Sequence, residues 1–127
     1  MANLQLIPGL SAGADISANQ FEAVRQGAAD LEVRAITVNT QIPIGILQNN
    51  PNAAGQGAEV AGPGSTCKAR LGGTVTRGDL LTVDGDGELV TATAGTDTTR
   101  YVIAQALQSG VDQDVVMVLV GFPARAA

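Results

Sequence analysis

The chain has no histidine and no tryptophan, and its only aromatic residues are Phe21, Tyr101 and Phe122. Without histidine it lacks the commonest general base, the usual catalytic triads and the commonest zinc ligand. A single cysteine, Cys67, excludes an intrachain disulfide and a cysteine zinc site. Its place in the alternating segment Thr66-Cys67-Lys68 reads as a small buried apolar residue rather than a reactive thiol. Positive charge is scarce: Lys68 is the only lysine, the six arginines are scattered from Arg25 to Arg125, and the net charge is -5. Nucleic-acid binding draws on clustered cations, so that partner class is not expected. No apolar run approaches the roughly 18 residues of a membrane span. The start, Met-Ala-Asn-Leu-Gln-Leu-Ile-Pro-Gly, lacks the basic and long apolar regions of a signal peptide, so the protein is expected to be made and used in a cytoplasm.

What is present is aliphatic and neutral. At 127 residues the chain fits one domain, whose core must be built from Val, Ile, Leu and Ala. Such a core gives little area per side chain, and a lean core in a small chain invites association. Charged residues are 15% of the sequence against a usual quarter or so. A neutral surface of Thr, Gln, Asn, Ala and Gly suits close contact with neighbouring proteins.

Short apolar segments separated by Gly- and Asp-rich turns predict an all-β fold, a small β-barrel or sandwich of short antiparallel strands. Residues 1–19 read as an extended N-terminal arm and residues 20–127 as a single β domain. In the arm Leu4, Leu6, Ile7 and Leu10 are apolar, but Pro8, Gly9 and Gly13 break any period, so the arm is expected to lie on its own domain or a neighbour. These four residues are the candidate protein-interaction residues. Ser17 to Gln20 resembles a capping box before a short helix at 21–26, but Gly27 would stop that helix within two turns. A hairpin with strands at 20–25 and 31–38 is preferred.

Further strands are expected at 42–48, where Pro43 marks an edge or bulge, and at 58–61, 66–71, 80–83, 88–92, 101–107 and 115–120. Asp84-Gly85-Asp86-Gly87 is a hairpin turn signal. Val115 to Val120 is apolar on both faces, so both should be covered, the outer one by the arm or another subunit.

The candidate chemical motifs reduce to turns. Asp84, Asp86 and Glu88 begin like a calcium loop, but the twelfth position is Gly95 rather than glutamate. Gly55-Gln56-Gly57 and Gly62-Pro63-Gly64-Ser65 match neither a dinucleotide fingerprint nor a phosphate loop. Arg77-Gly78-Asp79 spells an integrin tripeptide where the chain must turn into Leu80. No catalytic, cofactor-binding or metal residue is assigned, and no enzyme activity or cofactor is expected.

The order of several segments resembles the capsid cement (head decoration) proteins of tailed bacteriophages. They are Ala12 to Phe21, Pro43 to Asn49, Gly72 to Leu81, the Asp84 to Ala92 hairpin, and Tyr101 to Leu107 ahead of the Val115 strand; the long Asn49 to Gly64 connection departs from the pattern. The resemblance implies a homotrimer on the outside of an expanded icosahedral head, near local threefold axes. There it would bind the major capsid protein and stabilise the head against packed DNA. The location implied is the capsid surface of the virion, after synthesis in the host cytoplasm. The alternative is a small β-barrel binding or carrier module of a cytoplasmic complex; Gly78-Asp79-Leu80-Leu81 followed by Asp-Gly is similar to lipoyl and biotinyl carriers, a likeness that is set aside. Those present a modified lysine at a hairpin tip, and Lys68 lies within an alternating strand.

Overall fold

The computed structural model describes residues 3–125. It is all-β, with two curled five-stranded sheets forming a half-barrel or sandwich. The first sheet has the order β1 (Ser11–Ala12), β3 (Glu32–Ala35), β2 (Ala23–Gln26), β4 (Pro43–Leu47), β5 (Val60–Ala61). The second has the order β6 (Thr66–Arg70), β10 (Val115–Arg125), β9 (Tyr101–Ala106), β7 (Leu80–Val83), β8 (Leu89–Thr91). Nearly all pairings are antiparallel, as short connections require; the named exception is β1 with β3.

Each sheet curls until its two edges meet. In the first, the segment leading into β1 pairs with residues 56–61: Leu6 bridges Ala61, Ser11 bridges Gly57, and Ala58 N–H donates to the Leu10 carbonyl. The N-terminal segment therefore supplies a strand that closes the sheet, with Pro8 and Gly9 (φ 77°) forming the kink. In the second, Leu71 bridges Leu89 in parallel fashion and Gly72 N–H donates to the Leu89 carbonyl. Closure hides edge groups that would otherwise solicit other strands.

Two aliphatic clusters fill these curls. The smaller holds Leu10, Ala12, Ile16, Val24, Val33, Leu47, Ala58 and Val60, all from the first half. The larger is built mostly from the second sheet, around Cys67, Leu71, Leu81, Val83, Leu89 and Val118. Ala23, Ile36, Ile46 and Ala61 of the first half belong to the larger cluster and join the two. Backbone bonds cross the junction: Ala23 N–H donates to Gly87 O, and Arg70 N–H donates to Phe21 O.

The preferred β2–β3 hairpin forms, with Leu31 at its turn in the left-handed region (φ 58°). In place of a helix at 21–26 there is one 3-10 turn at Ser17–Asn19. Phe21 takes φ 69°, which starts β2 later than expected, at Ala23. Pro43 sits where β4 shifts register against β2, pairing with Arg25 across a bulge. Strand β10 runs on to Arg125, and a register shift between Val120 and Ala124 lets its second half follow β9. Cys67 and Ala69 face the core, while Lys68 is exposed. On β10 the inner residues Val116, Val118 and Val120 are buried, but Val115 and Leu119 on the outer face remain exposed. The N-terminal segment lies along β5 and β6 and does not cross that face.

Candidate interaction surfaces

The four arm residues separate by depth. Leu10 is buried in the smaller cluster and Ile7 packs against it, whereas Leu4 and Leu6 stand more than 40% exposed. The backbone around them is tied to the domain: Asn3 N–H donates to Thr66 O (3.1 Å), Gln5 N–H to Ser65 Oγ (2.8 Å), and Ile7 N–H to Val60 O (3.0 Å).

Beside Ile7 and Leu10 lies an apolar groove of about 560 Å³, walled by Leu31, Ile42, Ile44, Tyr101, Phe122 and Pro123. Phe122 is 81% exposed, Leu31 61% and Ile42 51%. Leu31 holds a left-handed conformation that a branched aliphatic side chain normally avoids. Sequence reasoning missed this groove because its walls come from segments far apart in the sequence. The signal available was Phe122, a large apolar residue amid Gly121 and Pro123.

Charges of both signs border the groove, with Glu32 among its lining residues. Arg25 and Arg34 are direct cross-strand neighbours on β2 and β3. Arg34 pairs with Glu32 at 3.2 Å. Arg25 donates to backbone carbonyls, those of Ala35 and Gln26. Arg125 donates to Thr98 O and lies 5.9 Å from the centroid of the Tyr101 ring. Among the described residues, neither Arg25 nor Arg125 pairs with a carboxylate.

The β7–β8 turn is acidic. One carboxylate oxygen each of Asp84, Asp86 and Glu88 fall within 4.8 Å of one another. Asp84 Oδ1 accepts from Asp86 N–H (2.9 Å) and Glu88 N–H (3.0 Å), the work of a turn-capping carboxylate. Gln113 Nε2 donates to Glu88 (2.7 Å) and to Asp112 (3.1 Å), drawing a fourth carboxylate into the group. Nearby, the buried Glu22 pairs with Arg70 at 3.6 Å, and desolvation pushes its carboxyl above the usual glutamate range.

The other sequence candidates have local roles. In Arg77-Gly78-Asp79, Gly78 turns the chain at φ 94°, and Asp79 Oδ2 accepts from Thr76 N–H and Thr91 Oγ1 (both 3.0 Å). The Cys67 thiol is fully buried, and burial pushes it up to about 12.

No protein-family profile matches the chain, and no curated protein sequence matches it. Its fold does match a solved structure, the N base of head fiber gp8.5 of bacteriophage phi29. The two superpose with a TM-score of 0.67 at 15% identity, over 95% of each chain. At that identity the likeness is one of fold, and it extends over essentially the whole of both chains.

Proposed function

We propose that this chain is a structural protein of a bacteriophage head. On this reading it is a decoration (cement) protein that binds the outside of the expanded icosahedral shell. It sits there as homotrimers near local threefold axes, contacts the major capsid protein, and braces the shell against the internal pressure of packed DNA. The observation that carries this reading is the fold shared along 95% of the chain with the base of a phage head fiber. The ordered segments that resemble cement proteins support it independently.

The physical chemistry suits such a role. Weak neutral contacts, repeated by icosahedral symmetry, hold a shell firmly through avidity. A surface with few charges and several exposed aliphatic side chains offers contacts of that kind. The reading assigns the protein no catalysis, cofactor, nucleic acid or membrane partner, and places it on the virion surface after synthesis in the host cytoplasm.

The test is mass analysis of purified virions, with sedimentation of the protein on expanded and unexpanded heads. Many copies per particle and preferential binding to expanded heads are expected. Absence from virions, together with failure to bind either head form, would overturn the reading.

A further inference from the structure

The sheet closure made by the N-terminal segment is one-sided. From Ser11 onward the segment lies between two neighbours, β3 on one side and Gly57 on the other. Ahead of the Pro8–Gly9 kink only one side is taken. Asn3 exchanges both of its backbone bonds with Thr66, Gln5 O accepts from Gly62 N–H, and Ile7 N–H donates to Val60 O. Along a strand the backbone groups of successive residues point to opposite edges. The N–H and C=O of Leu4 and Leu6 therefore point away from β5 and β6, and among the described residues they bond to nothing. The side chains agree: Leu4 is 41% and Leu6 43% exposed, and strand alternation sets both on the face opposite Ile7, which packs on the smaller cluster.

Such an edge solicits another strand, and natural proteins usually blunt it with a charge or a proline. The stretch Asn3 to Ile7 carries neither, and the segment beneath it, Val60 to Cys67, is uncharged as well. Two copies of so neutral a strip can lie side by side without like-charge repulsion, although the whole chain carries a net charge of -5. Free groups on alternate residues of one strand are also complementary to themselves. Turned antiparallel about a twofold axis at Gln5, Leu4 of one copy faces Leu6 of the other. Each such pair exchanges two backbone bonds, so every free group of Leu4 and Leu6 in both copies is satisfied. The same register sets the exposed leucines side by side on one face, Leu4 against Leu6 on both sides of the axis. A register centred on Leu6 would instead put Leu4 opposite Pro8, which has no N–H to give.

We propose that the occupant of this edge is the same edge of a second copy of this chain, the two N-terminal segments pairing antiparallel about a twofold axis through Gln5. A twofold contact cannot close a threefold ring, so it links subunits of neighbouring trimers rather than subunits within one. So short a ladder buries less than the roughly 1,200 Å² of a stable interface. It is weak for a lone pair and gains strength by repetition across a symmetric shell. The inference deepens the proposed function by naming a contact between decoration units, and it rests on that reading for the shell on which the contact repeats.

The experiment is disulfide trapping in the full chain. In this register the two Gln5 residues form a directly opposed, non-hydrogen-bonded pair with Cα atoms about 4.5 Å apart, within disulfide range. Cys67 is buried and stays out of the reaction. Gln5→Cys, Leu4→Cys and Leu6→Cys, each checked for native circular dichroism, are mildly oxidised at high protein concentration and again on expanded heads. Gln5→Cys should form covalent dimer at least about tenfold faster than either leucine variant alone. An equimolar mixture of Leu4→Cys and Leu6→Cys should form the mixed dimer faster than either forms its own. Adding Leu4→Lys to Gln5→Cys should slow trapping at least about tenfold, since a lysine on an edge opposes pairing. Should Gln5→Cys fold poorly, the mixture decides in its place. Equal rates at the three positions, a mixture no faster than its parts, or no dimer either in solution or on heads would overturn the inference. Binding of the unmodified protein to expanded heads is measured in parallel. Heads that bind the protein while Gln5→Cys yields no dimer sink this contact and leave the decoration reading standing; trapping without head binding does the reverse.

Discussion

Glu22 illustrates how single residues set this molecule's response to pH. Its carboxyl is raised first by desolvation; Glu88 and Asp84 push the same way, while the Asn19 amide and Arg70 pull it down. A group whose pKa is higher when folded stabilises fully below its unfolded value, near pH 4.5, and loses that contribution as pH rises through the folded value. At neutral pH the ionised Glu22 therefore costs stability. Glu22→Gln keeps an acceptor for Asn19, which lies 2.9 Å away. It should melt higher than wild type at pH 7, with the difference closing toward pH 4.5. A lower melting point at pH 7 would mean that the Arg70 pair outweighs desolvation. Asp97 has the opposite sign: the Thr93 backbone N–H, aided by Arg100, holds it below the usual range, so its contribution is present at neutral pH and fades as acid protonates it. Cys67 gives a second test. With its thiol buried and pushed up to about 12, almost no thiolate forms near pH 8. Thiol reagents should leave the native protein unlabelled and label one site per chain in denaturant; rapid native labelling would show that the second sheet opens readily.

Among the elements, the N-terminal segment most separates what the sequence made legible from what it did not. Strands β6, β7, β8 and β9 were readable because alternation or an Asp-Gly turn pinned them, and their observed bounds differ by a residue or so. The first 12 residues have no such period. Residues 3–12 pair largely through isolated bridges on either side of the Pro8–Gly9 kink, and most of their partners, at 56–61, lie beyond a long loop. Closure of a sheet by a remote segment leaves little local pattern. The second half of β10 was missed for a related reason: Pro123 reads as a breaker, yet the register shift there accommodates it. The groove was illegible because its walls come from segments far apart in the sequence, around Ile7, Leu31, Ile42 and Phe122. The depth difference within the segment predicts unequal mutants. Leu10→Ala should cost about 2–5 kcal/mol, the usual loss for a buried leucine, whereas Leu4→Ala should stay within about 0.5 kcal/mol. Urea titrations check both, and equal effects would contradict the packing described. The β4–β5 pair offers a steric counterpart. A Cβ on Gly45 would collide with the Ala61 carbonyl and with Val60, so Gly45→Ala should destabilise by about 1–3 kcal/mol.

At the scale of the whole molecule, the question is whether two curled sheets with two clusters unfold as two units or one. Each half has its own closure, and the smaller cluster draws on the first half alone. The junction argues for one unit. Ala23, Ile36, Ile46 and Ala61 lie on strands of the first half or beside them, yet pack into the larger cluster with the second sheet. The Ala23–Gly87 and Arg70–Phe21 backbone bonds and the Gln48 amide on Lys68 O (3.0 Å) cross the same seam. Separating the halves would expose these apolar side chains and strand the crossing donors, and buried polar groups left without partners cost about 1–3 kcal/mol each. The first half, stripped of the seam, keeps only the smaller of the two aliphatic clusters. Calorimetry should therefore show one transition whose measured and van't Hoff enthalpies agree. Ile46→Ala, at the centre of the seam, should shift that single transition downward by about 2–5 kcal/mol of stability without splitting it. Two resolved transitions in the wild type, or an Ile46→Ala curve in which only part of the signal moves, would mean that the halves are independent bodies. A single cooperative body suits the proposed role, because a clamp between neighbouring shell subunits transmits load only if its own seam does not yield first.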